Sequence, residues 1–247
     1  MHPVFIEIFG RPIYWYGVLT AAGFLAAVVH WSMLARRHGR DPAIGSELGI
    51  WIMVGGILGA RVAFVLANLP AYLEAPMDII RIDKGGLIYY GGFIGASLAV
   101  ILMAHLRKER LWDFADFVVT AVPLGHAVGR VGCFLNGCCY GTACDLPWAV
   151  SFDSVARHPT QLYETAFNLL LYGLLLWIYP RRKRAGAVFA LYMQAYGLGR
   201  FIIEFVRGDD RMQWFGLSVA QQVSIGVFLA GCALWWLLPR TAPGDDG

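Results

Sequence analysis

Residues 129–141 read GRVGCFLNGCCYG and continue an apolar run that begins at Phe117. The run is long enough to cross a membrane, yet it places the permanent charge of Arg130 and the amide of Asn136 where hydrocarbon is expected. A charge at that depth is costly and is usually functional. The four glycines of this segment weaken a regular helix and let a ligand approach the backbone. The sequence therefore predicts that Arg130 forms an anion site inside the membrane. The alternative is an arginine that pairs with a buried carboxylate for packing alone.

The composition of the chain is that of an integral membrane protein. Of its 247 residues, 58% are hydrophobic and 15% are charged, whereas about a quarter of the residues of a soluble domain are charged. The net charge of +3 is small and the basic residues occur in short clusters, which argues against a nucleic-acid partner. The first ten residues contain no Lys or Arg, so the first apolar segment is expected to stay as a membrane helix. We predict one membrane domain over residues 1–247, with a short disordered tail at about 241–247.

Apolar segments of about twenty residues, separated by polar links, predict an all-α polytopic membrane protein with seven transmembrane helices. The predicted spans are 13–35, 47–69, 86–106, 114–136, 162–179, 186–206 and 217–238. Two links, 70–85 and 137–161, are long and partly apolar, and we expect them to form arm and head segments on the outer leaflet. Thr160 is the expected N-cap of the fifth span.

The distribution of Lys and Arg predicts the orientation of the chain in the membrane. Eleven of the 20 basic residues follow the odd-numbered spans, and five lie in the links on the opposite side. Because cytoplasmic loops of membrane proteins are rich in Lys and Arg, the N-terminus is expected outside and the C-terminus in the cytoplasm. The other four basic residues fall within the spans or at their ends, and they are Arg61, Arg130, Arg200 and Arg207.

A second polar cluster lies at the end of the sixth span and contains Arg200, Glu204 and Arg207. Residues four and three positions apart share one face of a helix, so these side chains are expected to lie together. One explanation is purely structural, because the carboxylate of Glu204 balances part of the charge of the two arginines. One positive charge is left over, however, and Arg130 adds another. We interpret this charge as a site for an anionic ligand. In a pocket that opens into a bilayer the expected ligand is a phospholipid phosphate, which the planar guanidinium group of Arg recognises well.

Glycine and aromatic residues elsewhere in the predicted spans are weaker indications of a binding site. The third span opens with several glycines, among them Gly91 and Gly92, a pattern typical either of close helix packing or of a floor on which a substrate lies. Arg61 in the second span is expected to contribute to the same polar interior. Tyr16, near the outer end of the first span, supplies a phenol to the site or acts as an interfacial anchor.

Four of the five cysteines are close in sequence, and they are Cys133, Cys138, Cys139 and Cys144. Their spacing matches no zinc motif and no pair of histidines lies nearby, so neither a metal nor a cofactor is expected. A disulfide on the oxidising side of the membrane is one interpretation of the cluster. Unpaired thiols that pack as small residues are the other.

In several motifs that occur in the same order, the chain resembles the bacterial prolipoprotein diacylglyceryl transferases. The shared motifs are Trp15-Tyr16-Gly17, Gly59-Ala60-Arg61, the glycine block 85–95, Gly129-Arg130-x-Gly132 with Asn136-Gly137 and Gly141, RHPTQLYE at 157–164, and Tyr196-Gly197 through Arg200, Glu204 and Arg207. The resemblance implies seven transmembrane helices in the bacterial cytoplasmic (inner) membrane. It also implies an enzyme that moves the diacylglyceryl group of phosphatidylglycerol onto the lipobox cysteine of a preprolipoprotein signal peptide, forming a thioether and releasing glycerol phosphate.

The same resemblance implies roles for individual residues. Arg130 and Arg200 match the two phosphate-handling arginines of the family. Other matches to positions that look functional there are Tyr16, Asn136, Gly141 and Glu204. We therefore predict catalytic roles for Arg130, Arg200, Tyr90, Glu204 and Tyr16. Substrate binding is predicted for Arg130, Arg200, Asn136, Gly91, Gly92, Gly141, Arg207 and Arg61.

The chain departs from the family pattern at three positions. Tyr90 stands where the family usually has a histidine proposed as catalytic base, and Cys133 and Cys138 replace an asparagine and a glutamate. A phenol of pKa about 10 is a poor proton acceptor, so the base is Tyr90 as phenolate, a lipid phosphate oxygen, Glu204 or water. The alternatives to a transferase are a non-catalytic relative that binds anionic phospholipid and a relative that uses its cysteines in redox chemistry. A transporter is disfavoured because the unequal spans show no paired halves.

Overall fold

The computed structural model of the chain describes residues 3–152, 154–208 and 213–238. The predicted tail at 241–247 lies outside the described residues, as do Arg211 and Arg240, which entered the prediction of orientation. The chain divides into two compact units, of which the first is Met1–Ala27 with Ala115–Gly247 and the second is Val28–Phe114. Each unit is described by itself, and the prediction of one membrane domain stays a prediction.

Most of the described residues are helical. The helices are α1 (Trp15–Arg37), α2 (Ala43–Ala67), α3 (Leu69–Glu74), α4 (Tyr89–Leu106), α5 (Leu111–Val119), α6 (Val122–Leu135), α7 (Thr160–Ile178), α8 (Ala187–Glu204) and α9 (Val219–Leu237). Short 3₁₀ turns cover Pro76–Ile80, Ile82–Lys84 and Tyr179–Arg181. Antiparallel hairpins join β1 (Val4–Ile8) to β2 (Arg11–Tyr14), β3 (Val150–Phe152) to β4 (Val155–Arg157), and β5 (Gln213–Trp214) to β6 (Leu217–Ser218). The helical prediction is confirmed, and the hairpins in the ends and links were not predicted.

Six helical segments of the described chain are long and apolar enough to cross a membrane, which makes the chain a multi-pass membrane protein. They are Trp15–Arg37, Ala43–Ala67, Tyr89–Leu106, Leu111–Leu135, Thr160–Arg181 and Val219–Leu237. Helix α8 forms where the sixth span was predicted but is not among these segments. Its polar residues, which include Gln194, Arg200 and Glu204, lower its hydropathy. Six of the seven predicted spans are therefore confirmed.

Helices α2 and α4 of the second unit pack closely through glycines. A Cβ atom added to Gly59 would collide with the carbonyl of Gly91, and one added to Gly95 would collide with the carbonyl of Gly55. The neighbouring Gly92 also faces α2, where an added Cβ would lie 3.2 Å from a carbonyl oxygen. Small residues let helix backbones approach in this way in membranes. The structure supports the packing explanation for Gly91 and Gly92, and their predicted role as a substrate floor stays a prediction.

Glycines also set the closest helix contacts of the first unit. A Cβ on Gly23 of α1 would lie 2.7 Å from the Gly125 carbonyl oxygen of α6. On α8, Gly199 is in such close contact with the ring of Phe167 on α7 that a side chain there would overlap the ring. This contact brings the neighbouring Arg200 up to the start of α7.

A buried carboxylate fixes the beginning of α8. Asp116 is fully buried, and its oxygens accept hydrogen bonds from the backbone N–H groups of Gly186 at 2.9 Å and Phe189 at 2.8 Å. The Nε atom of Arg182 lies 3.2 Å from the same carboxylate. A negative charge that accepts the free N–H groups of a helix N-terminus stabilises that end of the helix. Asp116 therefore sets the position of the helix that carries Arg200 and Glu204.

The link before α7 folds back onto the end of α6. Thr160 is the first residue of α7 and Pro159 is the N-cap, which makes no side-chain capping bond. The prediction of Thr160 as N-cap is wrong because its hydroxyl instead donates to the carbonyl oxygen of Cys139 at 2.7 Å. Beside it, the Gln161 side-chain amide donates to the carbonyl oxygen of Cys138 at 2.6 Å. Two side chains at the start of α7 thus hold the turn that follows α6.

Candidate active site

Five charged side chains of the first unit form one cluster among its helices. Their side chains are between 2% and 16% exposed. Arg130 lies on α6 and Glu164 lies at the start of α7. Arg200 and Glu204 lie near the end of α8, and Arg207 follows that end. Charges buried to this extent are stable only when they are paired, so the pairing within the cluster decides what it can bind.

Glu164 is the centre of the cluster, because guanidinium groups from three chain segments converge on its carboxylate. Arg130 Nε lies 2.6 Å from Glu164 Oε2. At the other oxygen, Oε1, Arg207 Nη1 donates a hydrogen bond at 3.2 Å and Arg200 Nη1 lies 3.8 Å away. The two arginines predicted to handle phosphate therefore reach the same carboxylate from two different helices.

Glu204 pairs with the arginines on either side of it in sequence. Arg200 Nη2 lies 2.7 Å from Glu204 Oε2, and Arg207 Nε lies 3.9 Å from the same oxygen. The Ser218 hydroxyl donates to Glu204 Oε1 at 2.8 Å. These contacts confirm that Arg200 and Glu204 share a helix face. Arg207 also reaches Glu204, although it lies beyond the end of α8 and not on the same helix face.

The cluster carries one positive charge in excess. It contains three guanidinium groups and two carboxylates, joined by the ion pairs described above. Arg200 Nη1 is buried and makes no hydrogen bond, since the Glu164 oxygen it faces is 3.8 Å away. Buried donors are nearly always bonded, and leaving one unsatisfied is costly. Both the excess charge and the unsatisfied donor are suited to one further anionic oxygen.

Two residues that contact the predicted arginines are not among the site residues predicted from sequence. One is Glu164 itself, and the other is His126, whose Nε2 accepts a hydrogen bond from Arg130 Nε at 3.3 Å. His126 Nε2 also lies 3.6 Å from Glu164 Oε2. The sequence contained an indication that each residue belongs to the site. His126 is four residues before Arg130 and so lies on the same helix face. Glu164 is a carboxylate just inside an apolar helix, where such a group is rare.

Gly141 packs against the backbone of the segment that carries Arg207. Its N–H donates to the carbonyl oxygen of His158 at 2.8 Å, and it forms an isolated antiparallel bridge with Arg207. A Cβ at position 141 would lie 2.5 Å from the Val206 carbonyl oxygen. The absence of a side chain therefore lets the link pack against the segment after α8, and it keeps Arg207 within reach of Glu164.

Tyr16 and Asn136 lie together at the C-terminal end of α6. They line a groove of about 490 Å³ whose other walls are Ile13, Tyr14 and Gly17. The Tyr16 side chain is 48% exposed, and Asn136 is the C-cap of α6. The structure brings these two predicted residues together beside the helix that carries Arg130. Their predicted catalytic and substrate-binding roles stay predictions.

The remaining predicted site residues belong to the second unit. Tyr90 lies at the start of α4, is 58% exposed, and packs its ring edge-on against Tyr89 with the ring centres 5.8 Å apart. More than half of this residue is therefore exposed. The predicted role of Tyr90 in catalysis stays a prediction.

Arg61 of the second unit is buried and donates its hydrogen bonds to backbone carbonyls of the link between α3 and α4. Its five N–H groups bond at 2.6–3.1 Å to the carbonyl oxygens of Asp78, Ile79, Arg81, Gly85 and Gly86. A guanidinium group has five donors in all, so none is left for a ligand. The structure gives Arg61 the task of holding this link in place, and these hydrogen bonds argue against the predicted direct binding of substrate.

All five cysteines lie in the described part of the chain and are free thiols. The Sγ atoms of Cys133, Cys138 and Cys139 lie within 4.8 Å of one another. A hydrogen bond from the Cys133 thiol lowers the pKa of Cys139 to about 5, whereas burial raises the pKa of Cys138. The structure therefore contains a group of three adjoining thiols, without the disulfide that was one interpretation of the sequence.

The helices and the buried cluster together define a multi-pass membrane protein with a cationic site among its helices. A family profile described as prolipoprotein diacylglyceryl transferase matches residues 3–237. The chain belongs to the prolipoprotein diacylglyceryl transferase family.

Relatives from distant bacteria agree with this assignment. The chain is 36% identical over 241 residues to the phosphatidylglycerol–prolipoprotein diacylglyceryl transferase of Clostridium tetani, a match that covers 94% of this chain and 95% of the relative. It is also 36% identical over 261 residues to the protein of that name from Trichormus variabilis, covering 99% of this chain and 92% of the relative. A third, from Bordetella parapertussis, is 35% identical over 254 residues, covering 96% of this chain and 95% of the relative.

Proposed function

We propose that this chain transfers the diacylglyceryl group of phosphatidylglycerol to the lipobox cysteine thiol of a preprolipoprotein. The observation that carries the proposal is the single excess positive charge of the cluster, with a buried Arg200 donor that makes no hydrogen bond. The phosphodiester of phosphatidylglycerol bears one negative charge, so its binding would neutralise the cluster and supply the missing acceptor. The relatives are likewise named for phosphatidylglycerol and prolipoprotein.

In this proposal Arg130 and Arg200 hold the lipid phosphate from two helices. Charge-assisted hydrogen bonds from guanidinium groups are shorter and stronger than neutral ones, and their fork geometry suits phosphate oxygens. Glu204, 2.7 Å from Arg200, orients that guanidinium group, and Glu164 holds the arginines together. Arg207 is nearly fully buried and stabilises Glu164. Asn136, Gly141 and Tyr16 are proposed to shape the path to this phosphate.

The reaction forms a carbon–sulfur bond and breaks the carbon–oxygen bond to the phosphate. The acceptor thiol loses its proton, its sulfur attacks the glyceryl carbon, and glycerol phosphate leaves with the electron pair of the broken bond. Negative charge develops on the departing phosphate, where prepositioned cations in a site shielded from water are most effective. The proposed acceptors of the thiol proton are Tyr90, a phosphate oxygen and water, because Glu164 and Glu204 are occupied by ion pairs.

The same proposal places the chain in the bacterial cytoplasmic (inner) membrane, with the N-terminus outside and the C-terminus in the cytoplasm. It includes α8 as a seventh span, since a helix with polar residues spans a membrane when those residues face the protein interior. The buried Glu204 and the low exposure of Arg200 support this placement. Phosphatidylglycerol and preprolipoprotein signal peptides are the partners it requires, and no cofactor enters the reaction.

A transfer assay with purified protein tests the proposal. Phosphatidylglycerol labelled in its acyl chains is mixed with a peptide that contains a lipobox cysteine, and label on the peptide is followed by mass spectrometry. We expect transfer by the wild-type chain and none by Arg130→Ala or Arg200→Ala. Arg181→Ala is the matched control, since Arg181 is exposed and bonds to the carbonyl oxygen of Trp177 at the end of α7.

Each outcome of this assay has a distinct meaning. If the wild-type chain binds phosphatidylglycerol but transfers nothing, the non-catalytic alternative is correct. If the wild-type chain and both arginine variants transfer equally well, the activity stands and the assignment of the phosphate to Arg130 and Arg200 is wrong.

A further inference from the structure

Three thiols meet at the end of α6, although their linear spacing does not resemble a metal motif. Cys133 is buried on the last turn of the helix, and Cys138 and Cys139 are half-buried in the turn that follows. Their Sγ atoms all lie within 4.8 Å of one another, and those of Cys138 and Cys139 are 3.5 Å apart. The fold therefore directs three sulfur atoms toward one point in space.

The size of this sulfur group fits a single metal ion. A zinc–sulfur bond is about 2.3 Å long, so three sulfurs that share one zinc ion lie about 3.8–4.0 Å from each other. The sulfur separations in the structure, 3.5 Å for one pair and at most 4.8 Å for the others, bracket that value.

The turn that carries two of the thiols is already fixed before any ion binds. Its carbonyls at Cys138 and Cys139 accept hydrogen bonds from Gln161 at 2.6 Å and from Thr160 at 2.7 Å. Cys139 itself has a positive φ of 66°, a conformation that residues other than glycine adopt rarely. Ligands held in their bound arrangement lose little conformational entropy on binding. The start of α7 thus supplies the preorganisation that a flexible cysteine loop would lack.

A basic side chain lies next to the group of thiols. Arg130 Nη1 lies 3.9 Å from Cys133 Sγ. The guanidinium group of Arg130 therefore lies beside one of the three proposed ligands.

We propose that Cys133, Cys138 and Cys139 bind one thiophilic divalent cation of the zinc class through their three thiolates. Thiolate ligands select such soft or borderline ions over Mg²⁺ and Ca²⁺. Three protein ligands leave the fourth tetrahedral position open for water or another thiol, as in zinc sites that take part in chemistry. Zinc binding is measured without lipid transfer, so this proposal stands or falls separately from the proposed transferase activity.

Metal content of the purified full-length chain in detergent tests the site. The protein is reduced, supplied with Zn²⁺ alone, dialysed against metal-free buffer, and analysed for zinc and protein. We expect about one zinc ion per wild-type chain. Removing a group that merely hydrogen-bonds a metal ligand lowers metal affinity by roughly 10- to 100-fold. The Cys138→Ser/Cys139→Ser double variant removes two ligands, so its zinc affinity should fall by more than that. Cys232→Ser, which changes a half-buried thiol outside the group, should bind zinc as the wild type does.

A second measurement uses only the wild-type chain and so does not depend on the folding of variants. Maleimide labelling of the reduced protein, with and without Zn²⁺, is mapped to individual cysteines by mass spectrometry. Zinc should protect Cys133, Cys138 and Cys139, while Cys144 and Cys232 label equally in both samples. The proposal is overturned if zinc leaves the labelling of these three cysteines unchanged. It is also overturned if the wild-type chain retains no zinc, or if the double variant retains as much zinc as the wild type. A Cys138–Cys139 disulfide in the protein as isolated would also overturn it.

Discussion

Arg130 and Glu164 form the shortest ion pair of the buried cluster, with Nε 2.6 Å from Oε2. The same carboxylate also faces Arg200 and Arg207 through its other oxygen. Its removal would leave three guanidinium groups with only Glu204 to balance them. The stability of this part of the protein therefore depends on Glu164, although no lipid needs to contact it.

We predict that Glu164→Gln lowers both stability and transfer. Removing one partner of a buried ion pair costs about 3–5 kcal/mol, because the other charge stays buried without compensation. Thermal unfolding in detergent and the lipid-transfer assay measure the two effects.

The matched control for that variant is Glu47→Gln. Glu47 also pairs with an arginine, Arg107, but its side chain is 45% exposed. Exposed ion pairs contribute about 0–1 kcal/mol, so this variant should unfold at nearly the wild-type temperature. Equal destabilisation by the two substitutions would contradict the central role of Glu164.

Arg200→Lys should weaken transfer even though it keeps the positive charge. The ammonium group cannot bond Glu204 and a phosphate oxygen through a planar fork. A hydrogen bond between charged groups is worth about 1.5–3 kcal/mol, so kcat/KM should fall about 10- to 100-fold. Arg181→Lys is the control. A fully active Arg200→Lys variant would mean that charge alone, without fork geometry, is sufficient.

Arg61→Lys should loosen the link between α3 and α4. Lysine has three donors in place of five and cannot reach five carbonyls in one plane. Backbone amides of residues 78–86 should exchange hydrogen on the order of tenfold faster or more, as measured by hydrogen–deuterium exchange with mass spectrometry. Arg81→Lys is the control, because the Arg81 side chain makes only exposed pairs with Asp78 and Asp83. Unchanged exchange in Arg61→Lys would show that the link is held by other contacts.

Tyr90→Phe should reduce transfer if the phenol accepts the thiol proton, because the substitution removes the oxygen and preserves the ring. Tyr89→Phe is the matched control on the adjacent residue, which is 79% exposed. The initial rate of lipid transfer is the measurement. Full activity of Tyr90→Phe would rule out Tyr90 as the proton acceptor and leave a phosphate oxygen or water in that role.

Patterns within short stretches of sequence predicted the features that depend on neighbouring residues. Apolar length predicted six of the spans that the structure confirms. The spacing of Arg200 and Glu204 predicted their contact, since an interval of four residues brings side chains together on any helix. Helix α8 falls short of the apolar character of the other spans because it carries these two charges.

Contacts between segments that are distant in sequence could not be predicted from such patterns. Neither the pairing of Glu164 with Arg130 nor that of Arg61 with five carbonyls follows from periodicity, because both require the packed arrangement of helices and links. The sequence spacing of Cys133, Cys138 and Cys139 likewise gave no indication that their sulfur atoms share one point. The hydroxyl of Thr160 was predicted to cap its own helix, but a neighbouring turn offered it a carbonyl.

The carboxylate at the centre of the cluster has a consequence for the catalytic cycle. With Glu164 between the arginines, the empty enzyme already contains a resident anion and never exposes bare cations to the hydrocarbon. In the proposed mechanism, an arriving lipid headgroup would join this anion and exchange part of its contacts. When the product phosphate departs, Glu164 would take those contacts back, and the site would be ready for the next lipid.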